Sequence, residues 1–327
     1  MSEVPLSIDE PLGAQQPQKG GIFRLEELSF VQLENLDLTR TVVLFTVSPL
    51  EEHGPHLPIG TDLFTAGSIC TKLAERIVEE KRGWTVLIGP SLPIGASAFD
   101  RAGTLLVRAR TVRNATLDYG AALARHGFRY LVVLNGHGGP RHIVALDEAA
   151  AAVSERYKVR MFSVSGLVLW KFMRGRYTDR LEAILGRAFT ADEKESLAGD
   201  THAGMWETSL MLFLRPDLVN SVYGALPPSK FRLIHALRKN YPLQLGNRMG
   251  YIGAPSAAQA ELGEAAQRLF LEVVWELVGP FLDARNKKWR KTSFLYKIPV
   301  LRTAFPYYTL VIAALAVAGW AIIHWLY

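Results

Sequence analysis

Short β-rich runs alternate with helical stretches through most of this 327-residue chain. The β-rich runs occupy residues 41–48, 85–95, 130–136 and 159–166. Helical stretches with amphipathic spacing separate them at 63–80, 112–126 and 141–156. Because strands that alternate with helices form βαβ units, this order predicts a largely parallel sheet with helices on both faces.

Two loops leave the predicted strands with an unusual number of titratable side chains. The segment "EEHGPHLPIGTD" (51–62) follows the first strand, and "NGHGGP" (135–140) follows the third. In open α/β sheets, ligands bind in the crevice outside the carboxyl ends of the strands. We therefore expect both loops to face one ligand site.

The donor atoms in these two loops predict a metal centre. Glu51 and His53 are two residues apart, so in an extended segment their side chains point the same way, and Asp62 follows. With His137 they form a mixture of oxygen and imidazole donors that suits zinc, manganese or iron(II) better than calcium. A carboxylate such as Asp62 can bridge two metals. Two alternatives stay open: a Glu-x-His pair that arises by chance, and a glycine-rich turn that only connects a strand to a helix.

A third polar stretch, "GDTHAGMWETSLMLFLRPDLV", covers residues 199–219. Glu207 precedes its apolar helix, where the helix dipole favours a carboxylate. A helix-capping acid is the alternative, but it leaves His202 unexplained. In the first loop, His56 is interpreted as a structural partner of the ligands. The remaining histidines on helical stretches are interpreted as surface or capping residues: His126, His142 and His235.

The net charge of +6 is concentrated in one segment of the chain. Residues 285–302 contain seven basic residues and no acidic one, so the remainder is nearly neutral. An extended basic surface that binds nucleic acid is therefore not expected. The single cysteine, Cys70, excludes an internal disulfide and a thiolate metal cluster.

Residues 303–327 contain no Asp, Glu, Lys or Arg, and aromatic side chains crowd both ends. A helix of that length crosses a hydrocarbon core of about 30 Å, which predicts a single transmembrane helix near the C-terminus. The alternative is a buried core helix. The preceding basic residues, the lack of a signal peptide and the lack of paired cysteines predict a cytoplasmic catalytic domain on a C-terminal membrane anchor.

Three motifs resemble those of the creatininase (creatinine amidohydrolase) family. Glu-x-His with "GPHLPIGTD", then "NGHGGP", then "HAGMWETS" occur in the family's order, and the resemblance extends from about residue 22 to residue 282. It implies a three-layer α/β/α sandwich. It also implies a centre of two divalent metal ions that hydrolyses a non-peptide or cyclic C–N amide bond with a metal-activated water.

The resemblance also implies roles for individual residues. Glu51 and His137 would bind one metal ion, His53 would bind the other, and Asp62 would bridge them. Creatininase has a glutamate at the position of Gly139, so Glu207 is expected to serve the second metal instead. His202 would transfer a proton beside the substrate, with orientation of a ligand as the alternative. Ser97 would contact substrate, although its segment "GASAFDRAGT" (95–104) lacks the family's Glu-His pair.

The expected organisation has four parts along the chain. They are a disordered tail (1–20), a catalytic domain (21–282), a basic juxtamembrane segment (283–302) and a transmembrane helix (303–327). The charged helical insert at 170–200 is expected to be a solvated flap or a subunit contact, and the protein a homo-oligomer.

The expected function is metal-dependent hydrolysis of a small-molecule amide. Two alternatives from other classes remain open. One is a metallopeptidase that processes a small modified peptide. The other is a non-catalytic scaffold of the same fold, which the intact Glu51, His53, Asp62 and His137 argue against.

Overall fold

A computed structural model describes residues 20–230, 248–283, 285, 286, 289, 292–305, 309, 312, 313, 315–317 and 320. The predicted tail therefore lies outside the described residues, apart from Gly20, and so does His235. Most of the predicted transmembrane helix at 303–327 also lies outside them. Among the helices that are described, none has both the length and the apolar composition needed to cross a membrane.

A five-stranded parallel sheet forms the centre of the molecule, as the alternation of runs predicts. Its strands lie side by side in the order β1-β3-β2-β4-β5. The bounds are β1 (Ile22–Arg24), β2 (Thr41–Thr46), β3 (Thr85–Ile88), β4 (Tyr130–Leu134) and β5 (Arg160–Ser163). The hydropathy pattern does not predict β1, because a three-residue edge strand is too short for a periodic signal.

The central strand β2 is buried along its whole length, which explains its continuous apolar sequence. Its side chains alternate between two hydrophobic clusters on opposite faces of the sheet. Val42 and Leu44 belong to one cluster, and Val43 and Phe45 belong to the other. Both faces are therefore covered, in agreement with the expected α/β architecture.

Nine α-helices are found in the described residues. The first four are α1 (Phe30–Glu34), α2 (Thr61–Glu80), α3 (Ala109–Arg125) and α4 (Pro140–Tyr157). The others are α5 (Ser165–Met173), α6 (Thr178–Leu185), α7 (Ala191–Ala198), α8 (Met205–Leu214) and α9 (Ala260–Phe281). Helices α3 and α4 pack together on one face, and α2, α8 and α9 pack on the other. Pro140 begins α4, at the position where a missing N–H costs least.

The segment after α9 is hydrogen-bonded to the α/β domain at two places. On β5, the Arg160 guanidinium donates hydrogen bonds of 2.8 Å to the carbonyl oxygens of Phe281 and Asp283. On α4, Asp147 accepts from the backbone and hydroxyl of Ser293, which is buried. Residues expected to form a linker next to a membrane thus pack in part on the domain.

Candidate metal centre and active site

The two loops expected to face one ligand site meet at the carboxyl ends of neighbouring strands. β2 pairs with β4 in parallel register, from Val42 opposite Tyr130 to Thr46 opposite Leu134. The loop 51–62 continues from β2, and the loop 135–139 continues from β4. The start of α8 brings a third group of side chains to the same place.

A first donor set consists of Glu51, Asp62 and His137, all buried. His137 Nδ1 lies 2.8 Å from Glu51 Oε2 and 3.3 Å from Asp62 Oδ2. One ligand atom from each residue falls within 4.8 Å of the others, which is compact enough to hold one ion.

A second donor set consists of His53, Asp62 and Glu207. His53 Nε2 lies 3.4 Å from Asp62 Oδ1 and 3.6 Å from Glu207 Oε2. Asp62 therefore turns one carboxylate oxygen toward each set. This is the arrangement of a carboxylate that bridges two cations.

Backbone carbonyls determine the tautomers of the histidines in this cluster. A carbonyl oxygen can only accept, so the ring nitrogen beside it must carry the proton. His53 Nδ1 lies 3.0 Å from Glu51 O, and His137 Nε2 lies 3.1 Å from Ala96 O. The other nitrogen of each ring, His53 Nε2 or His137 Nδ1, then points its lone pair at the carboxylates, as a metal ligand does.

Three atoms of the cluster are buried without a hydrogen-bond partner in the described part of the chain: Glu51 Oε2, His53 Nε2 and Asp62 Oδ2. Buried polar atoms are normally paired, so each of these atoms calls for a partner. Each is also the ligand atom that the geometry turns toward a donor set. The residues present therefore fit two divalent cations.

The electrostatics of the cluster agree with this fit. Burial lowers the pKa of His53, but the carboxylates of Asp62 and Glu207 outweigh burial and raise it to about 10. Burial opposes ionisation of Asp62 as well, yet the neighbouring histidines, His53 first, hold its pKa below the ordinary value. The cluster thus stabilises positive charge, whether a proton or a metal ion carries it.

His202 lies at the edge of the same cluster. Its Nε2 is 2.8 Å from the carbonyl oxygen of Glu52, so Nδ1 is the free nitrogen of the neutral ring. The ring centroid is 4.4 Å from that of His53 and 4.4 Å from that of Phe99. Burial, together with the nearby His53, lowers the pKa of His202 to about 4. The ring can form a further donor set with Glu51 and His53, which keeps its alternative role as a ligand open.

Glu207 is held in place by the loop before its own helix. Its Oε2 accepts a hydrogen bond of 2.5 Å from the Ala203 amide just before α8. Burial raises the pKa of Glu207 to about 7 against the lowering effect of His53. Glu207 therefore faces His53 and binds the loop before its helix. The amide of Trp206, in the first turn of α8, donates to Asp200 Oδ2 at 2.7 Å, so Asp200 is the acid that caps this helix.

Gly139 leaves no space for a larger side chain beside His137. A Cβ built on Gly139 would lie 2.2 Å from His137 Nε2 and 2.9 Å from Ala96 O. The loop as folded therefore has no room for a glutamate at that position.

The remaining predicted residues lie at different distances from the cluster. His56 is buried, and its Nε2 lies 2.9 Å from the Thr208 hydroxyl on α8, which fits a structural role. Ser97 is exposed and has a left-handed backbone with φ of 63°. It lines a surface groove with Arg108 and Arg141. Its contact with substrate stays a prediction.

The interpretation of His142 as a surface or capping residue is wrong, whereas His126 is exposed as expected. His142 is completely buried, with Nε2 3.1 Å from Val47 O and Nδ1 accepting from the Ala96 amide at 3.3 Å. Its ring connects the end of β2 to the residue whose carbonyl orients His137. The signal in the sequence is its helical spacing from Ala145, Leu146 and Ala149, which places His142 on the buried side of α4.

A comparison with protein-family models matches residues 26–278 to the creatinine amidohydrolase, or creatininase, model. The chain belongs to the creatininase family. Among curated proteins, it is 29% identical over 264 residues to the mycofactocin precursor peptide peptidase of Mycobacterium ulcerans, covering 78% of this chain and 90% of that protein. It is also 29% identical over 187 residues to the creatinine amidohydrolase of Pseudomonas putida, covering 55% of this chain and 66% of that protein.

Solved structures support the creatininase fold. A manganese form of creatininase superposes with a TM-score of 0.61 at 22% identity, covering 80% of this chain and 98% of that chain. At this level of identity the likeness shows the fold alone. The five-stranded parallel sheet with covered faces is thus the fold of the family.

Proposed function

We propose that this creatininase-family protein is a metal-dependent hydrolase that cleaves a non-peptide or cyclic C–N amide bond. The observation that carries the proposal is Asp62, whose two carboxylate oxygens face separate donor sets. One set is completed by Glu51 and His137 and the other by His53 and Glu207. Two divalent ions, either zinc, manganese or iron(II), fit this mixture of imidazole and carboxylate donors.

Metal ions bound there would lower the pKa of a water molecule toward neutrality and polarise the amide carbonyl. The protein's own part is to hold the donors and to move the proton. Because Nε2 of His202 donates to the Glu52 carbonyl oxygen, Nδ1 of the neutral ring can accept a proton from the attacking water. It then donates that proton to the leaving nitrogen, while the Glu52 carbonyl oxygen keeps the ring oriented.

A peptidase of the same fold is the second candidate. It is favoured by the relative from Mycobacterium ulcerans, a mycofactocin precursor peptide peptidase matched over 90% of its length. Both candidates use the same metal centre and differ only in the amide. A screen of cyclic amides and short peptides as substrates distinguishes the two candidates. If neither class is hydrolysed, the result favours a non-catalytic scaffold.

Metal analysis of the full chain tests the centre itself. We expect up to two divalent ions per chain in the wild type and loss of most of both in Asp62→Asn, because one carboxylate serves both sets. Asp118→Asn, at an exposed position on α3, is the matched control and should keep its metals. A wild type without metal, or full occupancy in Asp62→Asn, contradicts the proposal.

We further propose attachment to a membrane through residues 303–327, which mostly lie outside the described residues. The proposal rests on their apolar sequence after a basic segment. The catalytic domain would then face the cytoplasm, with substrate drawn from that side. Carbonate extraction of membranes from cells expressing the full chain tests this. Release by carbonate, or cleavage of the catalytic domain from the outer face, would defeat it.

A further inference from the structure

A cavity of about 460 Å³ adjoins the metal centre on the side of Glu207. Its inner end is formed by Gly136 and Gly138 of the loop after β4, together with Asp200 and Glu207. Pockets that hold small ligands typically measure about 300–1,000 Å³. The cavity is therefore large enough for a substrate that extends away from the metal centre.

The walls of the cavity are mainly apolar. They come from helices α5 to α7 and the start of α8, with side chains that include Leu169, Phe172, Tyr177, Leu181, Leu197 and Trp206. The two acidic residues of the lining, Asp200 and Glu207, are at the inner end. The end of α5 and the whole of α6 and α7 belong to the insert at 170–200, which the sequence predicts to be a solvated flap or subunit contact. Here these helices enclose a space beside the metal centre.

The aromatic wall is already packed in place. The Phe172 ring stacks on Phe270 of α9 with centroids 4.0 Å apart and planes at 9°. It also lies 4.8 Å from the Tyr177 ring and 5.2 Å from the Trp206 ring. A ligand that enters the cavity thus meets a preformed apolar surface, which lowers the entropic cost of binding.

We propose that the cavity binds a large apolar group, aromatic or branched, next to the scissile amide of the substrate. This deepens the proposed function and rests on it for the position of the amide. A small polar cyclic amide would fill only the inner end and would leave most of the apolar wall without contacts. A bulky substituent buries that wall and removes its own apolar surface from water.

Calorimetric titration of the full chain with two probes tests the preference. The probes are N-acetyl-L-phenylalanine and N-acetylglycine, which share an amide and a carboxylate and differ by the benzyl group. Both probes carry the same carboxylate, so its contacts with the exposed part of the lining cancel in the comparison. We expect the phenylalanine probe to bind roughly ten- to a hundredfold more tightly, as burial of a large apolar side chain predicts.

The variant Ala198→Trp tests whether the phenylalanine probe owes its tighter binding to this cavity. Ala198 is the last residue of α7, is exposed and lines the cavity, so a tryptophan there fills the space without disturbing a packed core. We expect the ratio of the two affinities to fall to within about twofold, whereas the matched control Ala198→Ser should keep it. Metal content, measured on the same samples, should not change.

Equal affinities for the two probes in the wild type would overturn the proposal, and so would an unchanged ratio in Ala198→Trp. The first comparison needs no variant, so it decides the question even if Ala198→Trp does not fold. Chromatography of the same mixtures records whether either probe is hydrolysed. Failure of the proposed function would appear as missing metal or missing turnover, which is distinct from failure of the binding preference.

Discussion

The histidine rings of the candidate metal centre are oriented by main-chain carbonyl groups. The carbonyl oxygens of Glu51, Glu52 and Ala96 lie beside one nitrogen each of His53, His202 and His137 respectively. The carbonyls of Glu51 and Glu52 belong to a loop that also supplies donors, and that of Ala96 belongs to the loop after β3, so ring orientation depends on correct folding of both loops. Such partners of a ligand commonly influence metal affinity and activity by about 10- to 100-fold.

His202→Ala tests whether His202 transfers a proton or binds a metal ion. We expect both metals to stay and turnover to fall about 10²–10⁴-fold, the usual contribution of a general acid or base. His126→Ala, which removes an exposed histidine at the end of α3, is the control and should leave both unchanged. If His202→Ala loses metal, then His202 is a ligand with Glu51 and His53.

Glu207→Gln tests the second donor set separately. The amide keeps the size of the side chain but removes the negative charge that faces His53, 3.6 Å away. We expect the variant to keep the metal held by Glu51 and His137 and to lose most of the other, which elemental analysis would record as about one ion per chain. Two retained ions would show that Glu207 is not needed to bind the second metal.

At the scale of secondary-structure elements, the close approach of α8 and α9 positions Glu207. A Cβ built on Gly263 of α9 would lie 1.9 Å from the carbonyl oxygen of Ser209 on α8. The Gln259 amide also donates a 3.0 Å hydrogen bond to the Ser209 hydroxyl. The two helices can approach this closely only because residue 263 lacks a side chain.

Gly263→Ala should therefore force the two helices apart. We expect the free energy of unfolding to fall by about 1–3 kcal/mol, the usual cost of overpacking, and binding of the second metal to weaken because α8 carries Glu207. Gly67→Ala is the matched control: residue 67 lies in α2, and an added Cβ there meets nothing within 4 Å. That control should raise the free energy of unfolding by about 0.5–1 kcal/mol. Urea denaturation measures both, and equal effects would contradict this account.

At the scale of the whole molecule, the segment after α9 covers part of α4 and is thereby joined to the helix that follows the His137 loop. Leu295 is buried against Ile143 and Val144, and Arg302 Nε lies 2.5 Å from Glu148 Oε1. The family model ends at residue 278, so this covering lies beyond the matched region. Anything attached after residue 303 is thus connected to the domain through a packed segment.

Asp147→Asn tests this packing through its pH dependence. Burial raises the pKa of Asp147 to about 6, above its ordinary value of 3.8, even though Ser293 donates to it. A carboxyl with a raised pKa stabilises the fold below pH 3.8, and that contribution is lost as pH rises through about 6. The shift corresponds to about 3 kcal/mol at neutral pH.

The asparagine variant does not ionise, so we expect it to gain stability over the wild type as pH rises from 4 to 7, and to differ little at pH 4. Urea denaturation across this range measures the difference. Asp118→Asn, at an exposed site, should show no such trend. A constant difference between Asp147→Asn and the wild type would mean that Asp147 is not buried by the Ser293 segment in solution.

Local periodicity and motif spacing were sufficient to predict the parallel sheet and three principal helices. They also predicted that two donor loops meet. These features depend on short-range rules: strands alternate every two residues, helices repeat every 3.6, and parallel strands present their carboxyl ends at one edge. The donor types already allowed Asp62 to bridge two metals, and resemblance to a family added which ligands flank it on each side. The geometry around Asp62 agrees with that expectation.

Tertiary structure alone decided which distant groups come together. Glu207 lies beside His53 although more than 150 positions of the chain separate them. His142 is buried between Val47 and Ala96, and the segment around Ser293 covers part of α4. The same packing turns the insert at 170–200 into the wall of a cavity. Hydropathy patterns describe which face of an element is apolar but not which other element covers it, because that depends on how all the elements pack together.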